Sequence, residues 1–589
     1  MRILKNQWVS IVLGMGAIAV PAVAEVYQAD YENGARLYRS EYRHTLSPRK
    51  TDPSTLRAGA TSTGRTASRP PFNNDDLGDF VFLPPAAKAD SDGDGVPDDQ
   101  DAFPFDPNEV SDSDNDGIGN NADTDDDNDG TPDVDDDFPI NPARTMPIQP
   151  LFPETNGVTD FPDYAVGDQF EWIMAQLSLP STSLADIEAR FVPGFDFASL
   201  QSFFDTLRTS FPNARVIEAI NVTARQAQVV IGDPTNPGST AGFVDLRIRF
   251  SDNKITYFFV QNFPQNPSST LLSDQNLTLA QAGAQAESLG EELSLLVGRI
   301  DNNVCTPIYG INRDTPRATG SIFKAWVLGA AAEAVKDGTI TPDQNMVFDA
   351  NEIVPFAGPL NDEPLGALFS VSDMANMMMG TSDNTATDHL HEFVGRTAAQ
   401  ASLSTFNHAT PSVMSPFLSI NETFHLYWTV PEVDALAYAN GTESAQVDYM
   451  NNVLVPLGPV TAFPQANGSV LVDGTWQASP MDVCRVIAGM RQYNDKSDEF
   501  RMVDLAYGAN AGAWQARRNW ERVWFKGGSL GDPQGLVVLT LGWLLESDDR
   551  GAYVVVGMLN TQSSNPGRID SGAFGSTMSR IIDIVTEEF

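Results

Sequence analysis

Ser321 and Lys324 lie three residues apart at the start of an apolar run, ATGSIFKAWVLGAAAEAV, residues 318–335. On a helix, residues i and i+3 share a face, so the hydroxyl and the amine are predicted side by side at a helix N-terminus. Desolvation by Phe323, Trp326 and their neighbours would push the lysine pKa down, and a neutral amine can take the serine proton. The N-terminal end of a helix also favours negative charge developing on a substrate. A serine and a lysine held this way are a nucleophile and its base. Alone the pair is weak, because a serine three residues before a lysine arises readily by chance and an ordinary surface lysine can lay its stem along apolar neighbours.

Two further motifs follow in order. MMMGTSDNTATDHL contains Ser382-Asp383-Asn384, and RVWFKGGSLG contains Lys526-Gly527-Gly528. The succession S-x-x-K, S-D-N, K-x-G resembles the signature of class A β-lactamases and penicillin-binding proteins. The resemblance covers residues 275–589. It implies an α/β catalytic domain, an antiparallel sheet with a helical subdomain, and acyl transfer without a catalytic cofactor. It also implies roles. Ser321 would be acylated and Lys324 would accept its proton. Ser382 would relay a proton to the leaving nitrogen, and Asn384 would hold Lys324 and the substrate amide. Lys526 would supply positive charge near Ser382. The backbone N–H groups of Ser321 and Ser529 would form the oxyanion hole. Gly527 and Gly528 would let the substrate lie against a strand edge.

Two departures bear on turnover. Gly527 stands where β-lactamases carry a hydroxyl residue. The candidate base for deacylation is Glu422 in PFLSINETFHLYW, but Ser419-x-x-Glu422 is also a helix capping box. His389, His391, His408 and His425 are weak catalytic candidates, and neither H-E-x-x-H nor G-x-S-x-G occurs.

The elements that must position these residues can be read from periodicity. A helix over LAQAGAQAESLGEELSLLVGRI leads into a strand, VCTPIYGINRD. A helix-rich middle runs to about residue 495. Three strands (ERVWFKGGSL, LVVLTLGWLL, AYVVVGMLN) and a last helix, STMSRIIDIVTEE, close the chain.

Residues 160–265 read as a separate α+β domain, helices followed by strands. Val244, Leu246, Ile248 and Phe250 alternate with charged residues, and Asp252-Asn253 is a hairpin turn. The order resembles the NTF2-like domain that precedes some β-lactamase-like hydrolases.

Residues 89–145 hold three copies of D-x-D-x-D-G, each with Asp or Asn three residues after the Gly and Asp six after it. Alternate carboxylates let several oxygens converge on one ion, as in an EF-hand loop. The segment resembles thrombospondin type 3 repeats and implies structural Ca2+. The carboxylates that would bind it are Asp90, Asp92, Asp94, Asp98 and Asp101, then Asp112, Asp114, Asp116 and Asp123, then Asp125, Asp127, Asp129, Asp133 and Asp136.

The formal net charge is −42. That argues against nucleic acid as a partner, since phosphate binding needs clustered Lys and Arg. Residues 1–24 carry a basic start, an apolar stretch and Ala22-Val23-Ala24, the pattern of a signal peptide, and residues 25–88 read as a disordered linker. No later segment reads as a transmembrane helix. Cys305 and Cys484 could pair in an oxidising compartment, but two separate buried thiols are at least as compatible with the sequence.

The expectation is a multi-domain chain with an irregular calcium-binding repeat segment, exported to the periplasm or the exterior. It would act through an acyl-serine on a β-lactam or a related amide or ester. The alternatives are a D-Ala-D-Ala peptidase or esterase acting on a peptidoglycan-like substrate, or a non-enzymatic calcium-dependent adhesion module whose repeats touch the cell envelope.

Overall fold

The structure is a computed structural model and describes residues 89–589 apart from 163, 265, 356–357, 465, 469, 533–534 and 562–567. The signal peptide and linker assigned to 1–24 and 25–88 lie outside the described residues. Two compact units are present, and the boundary falls between Ile140 and Asn141.

In the first unit, residues 89–140 form loops with one 3-10 turn, Asp133–Asp135. Carboxylates take the place of a hydrophobic core as acceptors for the backbone: Asp94 accepts from Val96 N, Asp112 from Gly117 N and Asp125 from Gly130 N. Residues 141–145, expected to belong to the repeats, pack instead within the second unit. Asp495 N donates to Ala143 O, and Thr145 Oγ1 donates to Asp495.

The second unit begins with the α+β domain. Helices α1 (Ala165–Ser178), α2 (Leu184–Arg190) and α3 (Phe197–Ser210) precede an antiparallel sheet in the order β1-β2-β3-β4. Its strands are β1 (Arg215–Val222), β2 (Gln226–Gly232), β3 (Ala241–Arg249) and β4 (Lys254–Phe263). Ser183 and Asp196 cap α2 and α3 by accepting from Asp186 N and Ser199 N. Val244, Leu246 and Ile248 join Phe170, Ile173 and Phe204 in one core. Asp245 and Arg247, on the opposite face, join Gln226 and Gln228 in a polar network. The β3–β4 turn is a 3-10 turn, Phe250–Asp252, closed by Asn253 in the left-handed region.

The C-terminal domain follows with α4 (Leu279–Ser288), β5 (Glu292–Asp301) and β6 (Val304–Ile311), so the helix expected over 279–300 stops at Ser288 and its second half is a strand instead. The C-terminal strands are β7 (Arg522–Asp532), β8 (Gly535–Ser547) and β9 (Gly551–Asn560). The sheet order is β7-β8-β9-β5-β6, antiparallel throughout, so β7 is an edge strand. Tyr553, Val555 and Leu559 face a core shared with the last helix, which spans Ser571–Glu588. Val554, Val556 and Met558 face the helical subdomain. Both faces are covered, which is why β9 reads as an unbroken apolar run. Cys305 in β6 and Cys484 are joined in a disulfide. The pair is therefore one bond across the two halves of this domain, rather than two separate thiols.

Candidate active site

The chain enters the site through a 3-10 turn, Gly320–Phe323, and then α5 (Lys324–Lys336). Ser321 thus lies in the tighter turn before the helix, where a spacing of three is one full turn. Lys324 is fully buried. The Phe323 ring stacks on Trp476, with centroids 3.7 Å apart, and Trp326 packs beside His408.

Two more helices carry the second motif, α6 (Val371–Gly380) and α7 (Asn384–Val394). Between them Ser382 adopts φ 57°. A non-glycine residue rarely occupies this region, and the surroundings must hold it there. Asp383 does so from both sides. Its carboxylate caps α7 by accepting from Ala386 N at 2.9 Å, and it accepts from Leu360 N at 3.0 Å.

The lysines converge on Ser382. Lys324 Nζ donates to Asn384 Oδ1 at 2.8 Å and to Ser382 O at 2.6 Å, and stands 3.3 Å from Ser382 Oγ. Lys526 Nζ donates to Ser382 Oγ at 2.8 Å and to Gly527 O at 2.6 Å. Burial pushes the Lys324 amine down to about 7, against the opposing pull of Asp383 and Asp388. Lys526 is also held well below the ordinary lysine range, by burial first and by Lys324 second. Two cations sharing one hydroxyl in a dry site cannot both be stable, so the pair carries a readily available neutral amine.

The third motif lies on the edge strand β7. A Cβ on Gly528 would come within 2.4 Å of Thr319 O and 2.5 Å of Ser321 N, and one on Gly320, at φ +50°, within 2.7 Å of Ser529 N. Gly528 is therefore required by the approach of the serine turn to β7, a closer constraint than room for a substrate. The same approach brings the backbone nitrogens of Ser321 and Ser529 onto one small patch. Thr540 Oγ1, on β8, ties the two segments by donating to Thr319 O at 2.6 Å while standing 3.2 Å from Gly528 O.

Glu422 is placed in a different setting. It caps α8 (Ile420–Trp428) by accepting from Ser419 N at 2.8 Å, and it pairs with Arg396 through both carboxylate oxygens. Its acceptor capacity is committed to structure. Asp388, one turn after Asn384, accepts from Ile420 N and Asn421 N at 2.7 and 2.9 Å, and burial pushes its carboxyl up to about 7. Sequence reading missed both Asp388 and Thr540. The i+4 spacing from Asn384 was a signal for the first, and nothing local marked the second. The histidines have structural partners: His389 accepts from Asp349 N, and His391 stacks on Phe417 with its ring held down to about 3 by burial.

In the repeat unit three carboxylate trios converge, with oxygens within 4.8 Å of one another: Asp90, Asp92 and Asp94; Asp112, Asp114 and Asp116; Asp125, Asp127 and Asp129. Asp92 Oδ2, Asp101 Oδ2, Asp112 Oδ1, Asp125 Oδ1 and Asp136 Oδ2 are buried without a hydrogen-bond partner. Buried acceptors of this kind are costly unless paired, and their chemistry fits a hard divalent cation. Asp98 and Asp133 accept from Ser91 N and Asp126 N, and Asp123 from Asp125 N.

A serine turn set against an edge strand, with two buried lysines meeting at a second serine, defines a serine hydrolase. Residues 281–444 match the family described as "Beta-lactamase enzyme family", so the chain carries a domain of that enzyme family over those residues. Solved structures similar to this chain include a β-lactamase from Chitinophaga pinensis, at 12% identity and TM-score 0.36, covering 52% of this chain and 97% of that one. A β-lactamase from Sphaerobacter thermophilus shows 18% identity and TM-score 0.35, with 53% and 96% covered. One from Francisella tularensis shows 11% identity and TM-score 0.37, with 53% and 99% covered. No curated protein matches the chain. No helix among the described residues is long and apolar enough to cross a membrane.

Proposed function

We propose that the protein is an exported hydrolase that opens a β-lactam, or a related amide or ester, through an acyl-serine on Ser321. The convergence of Lys324 and Lys526 on Ser382 Oγ carries this reading. Neutral Lys324 takes the Ser321 proton as Oγ attacks the carbonyl. The N–H groups of Ser321 and Ser529 receive the oxyanion. Ser382 passes a proton to the leaving nitrogen and regains one from Lys324, which holds the Ser321 proton and stands 3.3 Å from the Ser382 hydroxyl, while Lys526 orients that hydroxyl. Asn384 holds Lys324 and the substrate amide. Labelling of the full chain with a fluorescent penicillin tests it. A covalent adduct on Ser321, absent in Ser321→Ala, is expected. Labelling only by a D-Ala-D-Ala depsipeptide would shift the substrate to cell-wall peptides, and no adduct with either would reject acyl transfer.

The acyl-enzyme is expected to be long-lived, because the carboxylate best placed in sequence to activate water, Glu422, is engaged with Arg396 and Ser419. Intact-mass spectrometry after mixing with penicillin should show the adduct persisting. Glu422→Gln should cost stability, roughly 1–3 kcal/mol for the weakened pair of a buried Glu422 and a half-buried Arg396, while leaving adduct lifetime nearly unchanged. Fast turnover that Glu422→Gln removes would reverse the assignment.

The α+β domain is proposed to be of the NTF2-like kind, which its order of helices before a four-stranded antiparallel sheet supports. The acidic unit is proposed to be a calcium-binding spacer on the thrombospondin type 3 pattern. Binding is expected at roughly 10⁻⁴–10⁻³ M, as for other extracellular sites. Limited proteolysis of the full chain should find residues 89–140 protected at millimolar calcium and cleaved in chelator. Equal cleavage in both would leave a charged spacer only.

A further inference from the structure

We propose that Arg225 is a positioning residue for the serine-hydrolase site, and that the α+β domain forms the wall behind Ser382-Asp383-Asn384. The inference rests on reading those three residues as part of the acyl-transfer site.

Arg225 lies in the tight β1–β2 connection of the α+β domain. Its Nε stands 2.9 Å from Glu363 Oε1, and both side chains are fully buried. Glu363 belongs to the hydrolase domain, yet its carboxylate is enclosed by the other domain. Beside this ion pair it accepts hydrogen bonds from Phe250 N and Ser251 N in the β3–β4 turn. Arg225 is itself fixed by donating from Nη2 to Ile248 O at 2.7 Å. A buried carboxylate with one cation and two N–H donors is held in one place, because any withdrawal leaves charge unpaired in a dry setting.

Glu363 ends the short 3-10 turn Pro359–Asp362, and the start of that turn touches the motif. Leu360 N is one of the two donors to the Asp383 carboxylate. Thr385 Oγ1 donates to Asn361 Oδ1 at 2.7 Å, and a Cβ on Gly358 would come within 2.6 Å of Asp383 Oδ2. The turn is therefore pinned at one end by Arg225 and at the other by Asp383.

A second tie runs beside the first. Ala224 N donates to Asn376 Oδ1 on α6, and Thr223 packs against Gly380, two residues before Ser382. Ser382 needs such support, since its backbone lies in the left-handed region and its hydroxyl must meet two lysines. A shift of about 1 Å in a catalytic group can cost roughly a hundredfold in rate.

The test uses the full chain and four forms: native, Arg225→Gln, Arg225→Lys and Glu363→Gln. One readout is hydrogen exchange at the Leu360 and Ala386 amides, both bonded to Asp383. The other is acylation by a fluorescent penicillin, separated into binding and chemical step. Arg225→Gln and Glu363→Gln should speed Leu360 exchange and slow the chemical step by roughly tenfold or more each, with binding much less affected. Arg225→Lys, which keeps the cation, should regain most of both. Glu363→Gln decides alone if Arg225→Gln does not fold. Exchange at Leu360 and a chemical step within about twofold of native in the folded variants would overturn the proposal, as would a uniform loss of stability with Leu360 still protected. If the native chain is never acylated, the reading of the site fails, and Leu360 exchange still decides whether Arg225 holds Asp383.

Discussion

Lys324→Ala is expected to slow acylation of Ser321 by about 10²–10⁴-fold, the range supplied by a positioned general base, and Ser321→Ala to abolish it. Burial sets the pH dependence. With its amine pushed down to about 7, Lys324 is protonated at pH 5 and largely neutral at pH 8. Only the neutral form accepts a proton, so the acylation rate should rise with pH and level off above about 7. Lys324→Arg keeps a cation that cannot deprotonate in this range, so it should lose the rate without gaining the pH limb. Stopped-flow acylation across pH checks each outcome. A flat profile in the native enzyme would remove Lys324 as the base.

The motif residues were legible because their geometry is local. A spacing of three places Ser321 and Lys324 on one turn, and a Ser-Asp-Asn run puts a capping carboxylate immediately before α7. What brings the three segments together is not local. Lys526 reaches Ser382 across 144 residues and Thr540 reaches Thr319 across 221. Only the likeness of the motif order to a known family pointed to the first, and nothing pointed to the second. β8 and β9 were legible from their apolar runs, which arise from cores on both faces, whereas β5 (Glu292–Asp301) was read as the second half of a helix.

Partners of single charged residues were the least legible. Glu422 offered two roles in sequence, and the capping signal within four residues was visible, but Arg396 lies 26 residues away. Arg225 and Glu363 gave no sign of each other, since ion-pair partners depend on how the two domains pack. Gly528 was legible as a place for close approach, yet the group that approaches is the serine turn. Ala143 and Thr145, read with the acidic repeats, bond to Asp495, a partner some 350 residues on that no local pattern announces.

The cysteines were ambiguous for the same reason, and the bond between them carries the second large expectation. Cys305 on β6 and Cys484, in the helix Pro480–Arg491, are 179 residues apart in sequence. The enclosed loop contains Ser321, Lys324 and the whole S-D-N segment. Closing so long a loop removes much of the freedom of the unfolded chain, about 5 kcal/mol in the chain-entropy account. Few single interactions match that in a protein whose net stability is of order 5–15 kcal/mol. Cys305→Ser with Cys484→Ser is therefore expected to lower the unfolding free energy by several kcal/mol, read as an earlier denaturant midpoint for the helical subdomain and its sheet. Acylation of the protein that remains folded should be nearly native, because neither sulfur bonds to Ser321, Lys324, Ser382 or Lys526. Native protein treated with reductant should match the double variant. An unchanged midpoint in both would mean that the two halves are held by packing alone, with the core around Leu296, Ile487 and Val554 sufficient to close the loop.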